Sequence, residues 1–219
     1  MESALHSIEI NKDKCIGCVL CMKACPTKAI RVKDGKAVIH GERCIDCGEC
    51  YRVCPCDAVE PLTTSLSDLK NFRYSVALPS PSLYTQFGWE AMPNQVLLAL
   101  KDMGFNYVYD GAWMCEMVNA AIDEYIKRNP EPKPKISTVC PSVVRLIAHS
   151  YPDLIDHIIP IESPRELAAK MVRQKIADKV ALPPDEIGFI HITSCPAKMV
   201  SIKRPIALGH SYLDGAIPI

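Results

Sequence analysis

The sequence has no net charge: 25 Lys and Arg balance 25 Asp and Glu. That balance removes the electrostatic case for nucleic acid or an anionic lipid surface as a partner. No apolar run reaches the ~18 residues a membrane span needs, so no membrane insertion is expected. The opening stretch MESALHSIEINKDK has no apolar signal region. Twelve cysteines without such a region point to reduced thiols in a cytoplasm rather than a disulfide framework. What the chain does have is 48% hydrophobic residues over 219 positions, enough for a core and for one or two domains.

The cysteines are patterned. Cys15-x2-Cys18-x2-Cys21-x3-Cys25-Pro26 recurs as Cys44-x2-Cys47-x2-Cys50-x3-Cys54-Pro55, an internal repeat. Iron–sulfur clusters need thiolates that converge on one cubane from several directions. Three cysteines on a tight loop, each separated by two other positions, can wrap three irons. Zinc suits a CxxC pair but not two runs of four cysteines with proline after each fourth. The spacing within 1–62 resembles bacterial two-cluster ferredoxins. In that pattern the fourth cysteine ligates the other loop's cluster. The resemblance implies one [4Fe-4S] cluster on Cys15, Cys18, Cys21 and Cys54, and a second on Cys44, Cys47, Cys50 and Cys25. Such clusters are often oxygen-labile, which points to an anaerobic cell.

Ser7–Ile10 reads as a strand, and Ala29–Val32 and Lys36–His40 as a hairpin about Asp34-Gly35. Residues 62–73 are polar, with the character of a linker. Beyond them strands alternate with helices. Strands are expected at Tyr74–Leu78, Phe105–Tyr109, Ile136–Val139 and Ile187–Thr193. Helices are expected at Asn94–Met103, Ala112–Arg128, Ser142–Ser150, Ser163–Leu182 and after Cys195. Ser163 and Glu166 have the spacing of a capping box around Pro164. The fold class is thus an α+β two-cluster ferredoxin-like domain over 1–62, a linker over 63–73, and an α/β domain with a mainly parallel sheet over 74–219. The chain's last stretch ends on apolar residues, as though cut within that domain.

Four cysteines lie outside the repeats. Cys56 and Cys115 are expected to be bystander thiols, packing as small hydrophobes. Cys140 and Cys195 share a context: each ends an apolar run and precedes a proline at the expected first helical position. Their thiols then face free N–H groups and the positive helix end, which favours thiolate. This pattern leaves metal ligation, thiol redox chemistry and coincidence open.

Thr138-Val139-Cys140-Pro141 and Thr193-Ser194-Cys195-Pro196-Ala197-Lys198 resemble the first two cysteine signatures of the [FeFe]-hydrogenase large subunit. Val76-Ala77-Leu78-Pro79-Ser80 and Ser163-Pro164 fit the same family in order, and a ferredoxin region in front is that family's arrangement. The resemblance implies a [4Fe-4S] cubane joined through one cysteine to a two-iron unit bearing CO, CN⁻ and a bridging dithiolate. Cys140 and Cys195 would be two of four cubane ligands. Lys198 would contact a cyanide, and Pro79 and Ser80 would lie near the bridgehead. Two departures stand out. The family's proton-relaying cysteine before the first ligand is Val139 here, and its third signature is absent from this chain.

Three functions follow. One is an [FeFe]-hydrogenase-like oxidoreductase fed through two [4Fe-4S] clusters by a redox partner, a ferredoxin or an oxidoreductase subunit. Another is a hydrogen or redox sensor with a signalling partner, which Val139 favours. The third is a ferredoxin-type electron-transfer module without hydrogenase activity, which the missing signature favours. A thiol–disulfide enzyme is disfavoured, since Cys140 and Cys195 form no CxxC dithiol.

Overall fold

A computed structural model describes residues 6–205 and 209–219. In the cysteine-rich region, β1 (Ile8–Ile10) leads into the first cysteine loop and α1 (Leu20–Ala24). β2 (Ile30–Lys33) and β3 (Lys36–Ile39) form the expected antiparallel hairpin, with Asp34 and Gly35 both at positive φ. That is the backbone a two-residue turn of this hand requires. The second loop follows with α2 (Glu49–Arg52), and β4 (Val59–Pro61) returns to pair antiparallel with β1.

The repeat in sequence is a repeat in backbone conformation. Positive φ occurs at Gly17 and Asp46, at Val19 and Gly48, and at Lys28 and Asp57, each pair at equivalent positions of the two repeats. Left-handed residues beside right-handed ones turn successive N–H groups inward, which suits an anionic group in the loop's concavity.

Residues 63–73 are packed rather than a free tether. A 3₁₀ helix, Leu66–Asn71, is capped by reciprocal bonds between Ser65 and Asp68. Leu69 is buried, and Phe72 fills the space a side chain on Gly188 would need, 2.4 Å from its ideal Cβ. Thr64 bonds the backbone of Ala216.

The remainder contains β5 (Tyr74–Pro79), α3 (Pro93–Asp102), β6 (Tyr107–Val108), α4 (Ala112–Arg128), α5 (Pro141–Ser150), α6 (Pro164–Val180), β7 (Ile187–Ile192), α7 (Pro196–Lys203) and β8 (Gly215–Ile217). The strands form one parallel sheet in the order β6-β5-β7-β8. Alternate residues of the two central strands serve opposite faces. Val76, Leu78, Ile187 and Phe189 pack with helices α4, α6 and α7, while Ala77, Ile190 and Ile192 pack with α3. Both faces are thus covered, as parallel sheets require.

Two expectations fail locally. Ile136–Val139 is not a strand; Ile136 makes one isolated parallel bridge to Ile158. The Thr138 hydroxyl then donates to the Ile161 carbonyl, holding the chain against its own neighbour instead of the sheet. The capping box at α6 also does not form. Glu166 turns away to accept bonds from the Ser211 hydroxyl and the Tyr212 N–H, both 2.8 Å, and the Ser163 hydroxyl has no partner among the described residues. A tertiary bond has displaced a local one.

Candidate functional site

The two cysteine loops build two hollows. Cys15, Cys18, Cys21 and Cys54 line one, and Cys25, Cys44, Cys47 and Cys50 line the other. Each repeat's fourth cysteine therefore sits with the other repeat's first three. Backbone N–H groups of Ala37, Ala29 and Ala58 donate to the sulfurs of Cys15, Cys25 and Cys54 at 3.2–3.3 Å. Burial and the neighbouring Cys44 and Cys47 thiols push the Cys50 thiol up to about 12. Four thiols this close resist ionising together unless a cation compensates them. The donor set and the inward N–H groups fit iron–sulfur cubanes. Cys56, read as a bystander from sequence, stands at the rim of the first hollow, its sulfur 3.8 Å from that of Cys54.

The second loop is tied to the helix that follows Cys140. Asp46, 2% exposed, accepts bonds from the Ser7 N–H and hydroxyl at 2.9 and 3.0 Å, and from the Arg145 guanidinium of α5 at 2.6 Å. His6 lies 3.3 Å from the same carboxylate. Burial alone would raise the Asp46 carboxyl. His6, Ser7 and the charge of Arg145 outweigh it and hold the group below the usual carboxylate range. On the same side, the ideal Cβ of Gly48 is 3.0 Å from the Pro196 ring, so the second loop also touches the turn that carries Cys195.

Cys140 and Cys195 occupy equivalent positions. Each is the residue before a helix with proline first, and their φ/ψ angles are −99°/104° and −101°/111°. Only Cys195 follows a sheet strand, because the segment before Cys140 is not one. The two still belong to one locality: α5 packs on α7, and the charges of both thiols act on the Arg165 guanidinium.

Beside them is a cavity of about 290 Å³. Pro79 and Ser80, Val139, and Lys198, from three stretches far apart in sequence, all line it. Leu78, Pro81 and Ala168 add apolar wall. Sequence reasoning missed two more members, His191 and Cys115. His191, 3% exposed, places Nδ1 2.8 Å from the Leu78 carbonyl oxygen. A carbonyl only accepts, so Nδ1 carries the proton and Nε2 presents a bare lone pair; that nitrogen has no partner among the described residues. Burial, then the charge of Arg165, pushes His191 down to about 3. The signal for it was a polar residue inside an apolar run, IGFIHI. Cys115 is half-buried on the first turn of α4 rather than sealed in the core. Its signal was position: a helix that follows a parallel strand starts at the sheet's carboxyl edge, where ligands bind in open α/β folds.

Cubane-forming thiol sets and a mostly apolar cavity point to an iron–sulfur protein with a second candidate site. Comparison with known proteins agrees. Residues 73–215 match the profile of the iron only hydrogenase large subunit, C-terminal domain, and residues 7–55 match a 4Fe-4S dicluster domain. The periplasmic [Fe] hydrogenase large subunit of Nitratidesulfovibrio vulgaris is 29% identical over 220 residues, covering 92% of this chain and 52% of that protein. Iron hydrogenase 1 of Clostridium pasteurianum is 25% identical, covering 91% and 40%. A variant of [FeFe]-hydrogenase HydA1 from Chlamydomonas reinhardtii shares the fold, with a TM-score of 0.55 and 20% identity over 70% of this chain and 43% of that one. The chain belongs to the iron-only hydrogenase large-subunit family. It binds [4Fe-4S] clusters. It spans about half the length of the curated relatives it matches. None of its described helices is long and apolar enough to cross a membrane.

Proposed function

We propose that this protein carries electrons between an external redox partner and a hydrogen-activating site through two [4Fe-4S] clusters. One cluster is held by Cys15, Cys18, Cys21 and Cys54, the other by Cys25, Cys44, Cys47 and Cys50. The grouping of these thiols in two hollows supports that assignment. Residues 1–62 form the electron-carrying domain and residues 74–219 part of the hydrogen-site domain.

The carrying observation is the cavity itself. Four residues drawn from three separate motifs, Pro79, Ser80, Val139 and Lys198, line it together. Its apolar surface suits carbonyl ligands, and the Lys198 ammonium suits a cyanide. Cys140 and Cys195 stand beside it as two ligands of a cubane. The hydrogenase-type group supplies the hydrogen chemistry when bound; the protein's part is to orient it, insulate it and handle protons. The closeness of Gly48 to Pro196 supports the second-loop cluster as the one that exchanges electrons with this site.

Val139 favours a second reading, a hydrogen or redox sensor with slow turnover and a signalling partner. An isopropyl group neither donates nor accepts a proton. The test is infrared spectroscopy of anaerobically prepared protein alongside iron and sulfide analysis. CO and CN⁻ stretches are expected. About eight irons without those bands would reduce the function to an electron-transfer module. If the bands are present, hydrogen turnover separates catalyst from sensor.

A further inference from the structure

We propose that the Cys115 thiol is the group through which protons enter and leave the cavity. The proposal rests on the hydrogen-site reading above. Around the cavity wall, Val139, Leu78, Pro79, Pro81 and Ala168 carry no titratable proton. Arg165 is permanently charged. His191 offers a bare Nε2 inside, but at 3% exposure it has no route outward. The Ser82 hydroxyl donates to the Ser80 oxygen, 3.0 Å away, and a serine hydroxyl does not ionise near neutral pH. Lys198 is a cation and serves as the anchor for an anionic ligand. Among the described residues, Cys115 alone lines the cavity, keeps a partly exposed side and carries a thiol proton, which burial holds above the ordinary thiol range.

Its charged neighbours give the route a direction. Burial raises the thiol, Lys198 from α7 lowers it, and Asp110 from the turn before α4 raises it. Asp110 is exposed and accepts a bond from the Ala112 N–H at 3.0 Å, so its carboxylate stands at the outer end of the helix start. The order is cavity, Cys115, Asp110, solvent. The step is proton transfer only. The S–H bond breaks toward a base in the cavity, and the thiolate regains a proton from solvent by way of Asp110. No electrons change hands. His191 Nε2, with its tautomer fixed by Leu78, provides a buried acceptor against which the cavity's occupant is oriented.

The test has two arms on the full-length, cluster-loaded protein. In the first, alkylation of Cys115 by iodoacetamide is followed against pH by peptide mass spectrometry. Lys198→Gln is expected to move the titration to higher pH and Asp110→Asn to lower pH. A Cys115 that fails to react, or that ignores both substitutions, overturns the proposal. In the second, a synthetic di-iron dithiolate complex bearing CO and CN⁻ is added. Protection of Cys115 from alkylation is expected. Cys115→Ala is expected to shift the infrared carbonyl bands and to slow hydrogen–deuterium exchange by about 10²–10⁴-fold, with partial recovery in Cys115→Ser. Carbonyl bands and exchange rates that Cys115→Ala leaves unchanged overturn the proposal alone. Failure of any carbonyl band to appear overturns the hydrogen-site reading, and the proposal falls with it.

Discussion

The two cysteine loops share one backbone and differ in what they face. Position by position, they repeat the same left-handed turns. Yet Gly17 in the first loop lies against the hairpin, its ideal Cβ 2.4 Å from the Gly35 carbonyl oxygen, while its counterpart Asp46 grips Arg145 of α5. At the next such pair the roles reverse. Val19 accepts a left-handed conformation that a β-branched residue rarely adopts, φ 61°, whereas Gly48 meets Pro196. Residue choice in each loop follows its surroundings. The first loop presents Ile16 and Leu20 to solvent, 68% and 43% exposed, and the second is docked. Under the proposed function this difference gives the electron path a direction: entry at the first cluster, exchange with the cavity site at the second.

The largest effect separating the loops comes from the crossing cysteines. Cys25→Ser is expected to destroy the cluster of the second loop and spare that of its own. Electron paramagnetic resonance with loss of only the first loop's signal would refute the crossed grouping. Next is the docking ion pair. Asp46→Ala strands a guanidinium that is only 16% exposed, and such a loss costs about 3–5 kcal/mol. Denaturant unfolding should register that cost, and much of it should vanish once Arg145→Met is added. Additive losses would mean that the pair does not hold the second loop.

How much of this was legible in sequence depends on the range of the forces involved. The cubane spacing, the Asp34-Gly35 hairpin and α4 are local patterns, and they stand where the residues put them. The strand at Ile136–Val139 looked equally local, but Ile158 and Ile161 captured its backbone first. Glu166 has the capping-box spacing and serves Tyr212 instead. Val139 and Lys198 were readable as candidates because motifs carry them, and both line the cavity. His191 and Cys115 belong to no motif, and their place on the cavity wall follows from the packing of β7 and α4.

A smaller effect tests the strained pair. Val19→Gly should stabilise the protein by about 1 kcal/mol by relieving the left-handed valine. Gly48→Val should destabilise it and slow electron exchange with the cavity site, since Pro196 must move. Equal effects from the two changes would erase the distinction between the loops. The smallest is pH-linked. His191 is held down near 3 when folded, against about 6.5 when unfolded. The unfolded chain therefore binds a proton first, and stability should fall as pH drops below about 6.5. His191→Gln should flatten that slope in unfolding curves between pH 7 and 5.5. An unchanged slope would remove His191 as its source.

The central claim joins crossed ligation to a second cluster docked beside Cys195, and one measurement reaches both. A nitroxide is placed on Cys195, with Cys56, Cys115 and Cys140 replaced by serine, and its relaxation is recorded with the clusters reduced. Cys54→Ser leaves only the second-loop cluster, and Cys25→Ser only the first. Strong relaxation enhancement is expected in the Cys54→Ser protein and weak enhancement in the Cys25→Ser protein. The reverse order would contradict the claim.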